Sequence, residues 1–163
     1  MQAPPPVPNL LNQLDTVAAN VKSALHQAGI DWLRPAEDGG WSLTEVLCHL
    51  RDVEIEVHQA RYQAILAQEY AFLAGVSADE WAADRGYIEQ DGKKALYDFL
   101  EARRATIELL QDVSDDQWNR QGRHAFFGPT SMHEILFLQV RHDDIHLEQI
   151  RTLLEEQHSG MMF

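Results

Sequence analysis

Residues 131–157 read SMHEILFLQVRHDDIHLEQIRTLLEEQ. Ser131 with Glu134 is a capping box, which opens a helix by pairing orphan backbone donors with side-chain acceptors. Beyond it Ile135, Leu138, His142, His146, Gln149 and Leu153 fall within one narrow sector at about 100° per residue. Such a stripe faces a core, yet its middle is polar. Burying those groups is costly unless each finds a partner. His142 and His146 stand one helical turn apart on one face. A divalent metal ion resolves the cost, because neutral imidazole is a common ligand and this spacing lets the rings converge.

Working outward, helical periodicity recurs along the chain. Val7, Leu10, Leu14, Val17, Val21, Leu25 and Ala28 trace a first stripe, with Gly29 as the expected C-cap. Ile30 to Gly40 contains Pro35 and Gly39-Gly40 and reads as a loop. Ser42 with Glu45 is a second capping box, opening a helix that carries Leu43, Val46, Leu50, Val53 and Val57 and runs to about Tyr70. Ser77 with Glu80 predicts a short helix around Trp81, and Ser114 with Gln117 another near Trp118. Between them a long helix runs from about Lys93 to Val113, with Leu96, Phe99, Leu100, Ile107 and Leu110 on one face. Residues 120–130 read as a Gly- and Arg-rich loop, and no segment shows a convincing strand alternation. The expected fold is all-α, a bundle of about four long helices with short helices in the connections.

The 163 residues suit one domain, 1–163, in which residues 1–7 form an extended, proline-rich leader. No apolar run is long enough to span a membrane, and the N-terminus lacks the pattern of a secretory signal. Cys48 is the only cysteine, so no intramolecular disulfide forms, which fits the cytoplasm. The formal charge of -13 repels phosphate backbones and anionic lipid, and argues against nucleic-acid or membrane partners.

Two ligands rarely suffice for a metal. His49 lies at the edge of the Val46, Leu50 and Val53 stripe and is the candidate third, with Glu45, Asp52 and Glu56 near it on the wheel. A site of His49, His142 and His146 leaves coordination positions open, as metal chemistry requires. Nitrogen ligands suit zinc, nickel, iron or copper. The competing reading is that the histidines are core groups of a non-catalytic helical module.

Residues Trp41-Ser42-Leu43-Thr44-Glu45 followed by His49 resemble the W-S-x-x-E-x-x-x-H opening of the second helix in DinB/YfiT-like proteins. Phe127-Gly128, with His142 and His146 beyond it, is similar to the closing F-G and H-x-x-x-H of that family. The resemblance covers nearly the whole chain in order and spacing. It implies an up-down-down-up four-helix bundle, metal ligation by His49, His142 and His146, and association as a homodimer. It also implies a metal-dependent thiol transferase or hydrolase with a small-molecule substrate and, in the transferase case, a low-molecular-weight thiol.

Other chemistries fit less well. His142-Asp143-Asp144-Ile145-His146 has the spacing of a zinc-protease helix, but Asp143 stands where the general-base Glu belongs. A di-iron bundle needs paired E-x-x-H motifs, and only Glu155 to His158 has that spacing. Arg103 falls on the third long helix's stripe, where a buried guanidinium needs an anion. An ion pair with a carboxylate on another helix, or a side chain reaching along the core to water, is favoured over a clamp for an anionic substrate. Cys48 reads as a small packing residue, and the tryptophans as packing anchors, with Trp81 and Trp118 also placed to wall a pocket. Gln149 extends the polar patch toward any water on the ion.

Overall fold

The computed structural model describes residues 2–161; Met1 of the expected leader lies outside them, as do positions 162 and 163. The long helices are α1 (Val7–Leu25), α2 (Leu43–Val53) continuing through a π-helical turn (Glu54–Gln59) into α3 (Ala60–Ala67), α5 (Gly92–Gln111) and α7 (Met132–Gly160). Short α4 (Trp81–Asp84) and α6 (Asp115–Trp118) lie in the connections. The helix directions follow from contacts at their ends. His133, near the start of α7, bonds the Pro5 carbonyl before α1, while Gln157 bonds Asp31 beyond the end of α1, so α1 and α7 run parallel. Gly92 packs on Thr44 and Gln59 bonds Ala102, so α2 and α5 also run parallel. His49 meets His142 while Tyr62 reaches Gln139, so α2–α3 opposes α7. This is the up-down-down-up four-helix bundle.

The capping boxes at Ser42, Ser114 and Ser131 form as read from the sequence. Ser77 does not cap: its side chain makes no such bond, and the chain enters α4 through a 3-10 turn, Ala78–Glu80. The first helix ends at Leu25, short of Ala28, because His26 leaves helical geometry; Gly29 instead takes a left-handed turn (φ 80°) in the following loop. Val7, assigned to the leader, already begins α1. The second long helix stops at Ala67 rather than Tyr70, which sits at φ 56°.

Residues 120–130 are not a plain loop. β2 (Gln121–His124) pairs antiparallel with β3 (Gly128–Ser131), Gln121 opposite Ser131, and β1 (Phe72–Leu73) adds parallel to β2. Strands this short cannot show a period, which is why the sequence hides them. The sheet closes one end of the bundle. Gly92 performs a structural task at the other end. A Cβ there would lie 2.5 Å from Thr44 Oγ1 and 2.8 Å from the Trp32 ring, so only glycine lets α2 and α5 approach.

The core has two halves. Leu43, Leu47, Phe99 and Ile150 anchor one, and Leu10, Leu14, Ile65 and Ile135 the other. Each such side chain contributes about 1.5–3 kcal/mol on burial. Between the halves lies a polar layer. Arg103 is fully buried and donates to both oxygens of Glu54 (2.8 and 2.9 Å), to both of Asp143 (2.8 Å each) and to the Leu14 carbonyl (3.0 Å). Gln139 donates to Glu54 and accepts from Tyr62. The ion-pair reading of Arg103 therefore holds, and the anion-clamp reading does not. Leu96, Leu100 and Ile107 are only half-buried; Ala95, Phe99, Arg103, Thr106 and Leu110 face inward.

Candidate metal centre

α2 and α7 bring His49, His142 and His146 together. His142 Nε2 lies 3.3 Å from His49 Nε2 and 3.0 Å from His146 Nε2, and ligand atoms of all three lie within 4.8 Å of one another. His49 and His146 are buried and His142 half-buried. Trp41 covers the cluster from the side, its ring parallel to that of His146 and 4.9 Å from that of His49. Trp81 and Trp118 do not wall this site.

The protonation states follow from the surroundings. His146 Nδ1 donates to Gln149 Oε1 at 2.8 Å, which leaves the Nε2 lone pair free in the neutral ring. Gln149 thus orients a histidine rather than reaching over the site. Burial holds the His49 pKa down to about 4 and that of His142 to about 2, with the neighbouring histidines adding to both shifts. Burial also lowers His146. All three rings are neutral at pH 7, as metal ligands must be.

The three rings cannot satisfy one another. A proton on His142 Nε2 serves one neighbour and leaves the other lone pair facing no donor. Nδ1 of His49 and of His142 are buried without full hydrogen bonds. A cation shared by the Nε2 atoms removes the conflict at the centre. Ligands about 2.0–2.1 Å from a tetrahedral zinc stand roughly 3.3–3.4 Å apart, close to the separations here. The donor set therefore fits a divalent ion. The acids near His49 on the wheel are engaged elsewhere. Glu45 completes the Ser42 cap, Asp52 binds Arg51, Arg85 and Tyr87, and Glu56 binds Arg85. None orients His49, whose desolvation the Ala78 backbone partly offsets.

A cleft of about 320 Å³ leads to the cluster, lined by His49 and His142, by apolar side chains such as Val53, Val57 and Leu138, and by His58, Arg61, Asp79 and His124. These last four were not read from the sequence. His58 and Arg61 are turned to this side by the π-helical turn. In a regular α-helix Arg61 stands about 120° from His49, and one inserted residue reduces that to about 20°. His58 likewise moves from about 180° to about 80°. His124 is held by the sheet, and Asp79 lies on the 3-10 turn. Cys48 is fully buried with its thiol pushed up to about 11 by burial, so it stays protonated and serves packing.

Fold and site together define a class: helical bundles that gather histidines from facing helices around one potential metal position. Residues 13–150 match the DinB superfamily, and the chain belongs to it. Among solved structures it is similar to YfiT from Bacillus subtilis, described as a probable metal-dependent hydrolase with an unusual four-helix bundle topology. The TM-score is 0.80 at 23% identity, over 92% of this chain and 86% of that one. No curated protein matches the chain.

Proposed function

We propose that this protein is a metal-dependent enzyme in which His49, His142 and His146 hold one divalent ion, zinc, nickel or iron, and a small nucleophile attacks a small-molecule substrate. The observation that carries it is the convergence of three neutral Nε2 atoms at the end of a cleft. When bound, the ion supplies Lewis acidity, lowering the pKa of water or a low-molecular-weight thiol and polarising the substrate. The chain supplies the rest. Gln149 fixes the His146 tautomer, Trp41 keeps water from one side of the rings, and the apolar walls exclude water from the substrate. Asp79 is the one carboxylate lining the cleft among the described residues, and its charge acts on His49 and His146. It takes the proton from the nucleophile.

Hydrolysis and thiol transfer are the reactions this arrangement serves. The test is a panel of small esters, amides and electrophilic alkenes, with and without a low-molecular-weight thiol, on metal-loaded protein. Turnover is expected that drops by about 10²–10⁴-fold in Asp79→Asn, with metal content unchanged. Turnover equal in wild type and His142→Ala would remove the reading. A single domain, a cytoplasmic location and a homodimer belong to the same proposal, and light scattering that gives a monomer at high concentration would reject the dimer. No described helix is long and apolar enough to cross a membrane.

A further inference from the structure

The cleft has chemistry beyond the histidine cluster. Arg61 is the only lysine or arginine among its described lining residues. It is half-buried, and no described carboxylate lies within 4.0 Å of its guanidinium. Its one hydrogen bond is a long contact of 3.4 Å from Nη2 to the Ala74 carbonyl. Arg51, Arg85 and Arg103 each bind carboxylates, whereas Arg61 reaches the cleft without one. Burial lowers its pKa with no carboxylate opposing the shift, whereas carboxylates raise those of Arg85 and Arg103. Such a guanidinium keeps most of its donors free for an arriving anion.

His124 adds a neutral donor. The Phe126 backbone N–H donates to its Nδ1 at 3.1 Å, which puts the ring hydrogen on Nε2, free for a ligand. Arg61 and His124 both line the cleft, and the charge of Arg61 reaches this ring. The other walls of the cleft carry apolar side chains, including Phe127 and Leu138.

We propose that the cleft selects small molecules bearing a single carboxylate, which Arg61 binds through its guanidinium fork and His124 through Nε2–H, with the apolar part of the molecule lying along the walls. This rests on the cleft being the substrate site of the proposed function. One free cation matches one negative charge. Asp79 on the same cleft disfavours a dianion such as a phosphate monoester, for which a single guanidinium is too little. Arg61 is here a binding and specificity residue, and the ion pair at Arg103 leaves it as the cleft's anion receptor.

The experiment titrates the full-length, zinc-loaded protein with hexanoate, hexan-1-ol and hexylamine, following affinity by NMR. Wild type, Arg61→Gln and Arg61→Lys are compared, with zinc content and melting temperature measured on the same samples. Hexanoate is expected to bind about tenfold or more tighter than the alcohol, with the amine weakest. Arg61→Gln should bring hexanoate and alcohol together at unchanged zinc content, and Arg61→Lys should restore part of the difference. Equal binding of hexanoate and alcohol by wild type would overturn the proposal. So would a preference that survives in folded Arg61→Gln, since the carboxylate would then sit on the ion. Because zinc is counted separately, protein that binds no zinc but keeps an Arg61-dependent preference contradicts the metal reading and supports this one.

Discussion

The polar layer of the bundle contains two clusters on neighbouring turns of α7, and they are built oppositely. Around Arg103 the guanidinium has carboxylates and a carbonyl to bind, and Gln139 and Tyr62 complete the chain of bonds. Around His142 the buried ring nitrogens crowd one another, and His49 Nδ1, His142 Nδ1 and His58 Nε2 have no full partner. The converging Nε2 atoms are the ones a shared cation would satisfy, while the unpartnered ring nitrogens around them cost about 1–3 kcal/mol each. A closed network holds the helices together, whereas an open one at the foot of a cleft is built for a ligand. Asp143 and His142 are adjacent in sequence yet belong to different clusters, because neighbouring positions on a helix face about 100° apart.

The largest effect should come from breaking the closed cluster. Arg103→Met leaves Glu54 and Asp143 buried without their cation, and should cost about 3–5 kcal/mol, read by urea denaturation. A loss below about 1 kcal/mol would show that the layer is not a structural unit.

Acid should separate the clusters next. Burial holds His49, His58, His142 and His146 below 6.5, so below that pH the unfolded chain takes up protons that the folded chain refuses. Their contribution is present above pH 6.5 and is lost as pH falls toward about 4, the His49 value. Asp143 works the other way. Burial pushes it up to about 6, so protonation there favours the folded state, but it is one group against the histidines. The metal-free protein should therefore melt at lower temperature as pH drops from 6.5 to 4, and zinc should resist the change. A melting temperature flat across that range would show the rings to be more solvated than the fold implies.

A smaller effect sharpens the sequence side of the comparison. Ser131→Ala removes the cap that sets the start of α7, and should cost about 1 kcal/mol while leaving the cluster geometry intact. A change in metal affinity as well would show that the helix start sets the position of His142.

The sequence reveals what depends on regular helical period. The capped starts at Ser42 and Ser131 and the His142–His146 pair follow from spacing alone. His49 needed the motif that begins at Trp41, since its place at the edge of a stripe does not distinguish it. Hidden features depend on departures from that period. The π-helical turn moves Arg61 and His58 to the cleft, and the partner of the buried Glu54, Arg103, is forty-nine residues away. The short sheet brings His124 to the wall through pairing that no local pattern announces. Ser77 and Glu80 show the converse: a capping pattern is present, but the chain turns too tightly there for the bond to form.

The most direct test of the contrast between closed and open clusters counts metal. Purified protein is stripped with chelator, titrated with zinc and analysed for bound ions, in wild type, His146→Ala and His158→Ala. The expected result is one tightly held ion per chain in wild type and His158→Ala, and none in His146→Ala, with His146→Ala still folded without metal. Equal zinc content in wild type and His146→Ala would contradict the account, because the convergence of the three rings would then serve no ion.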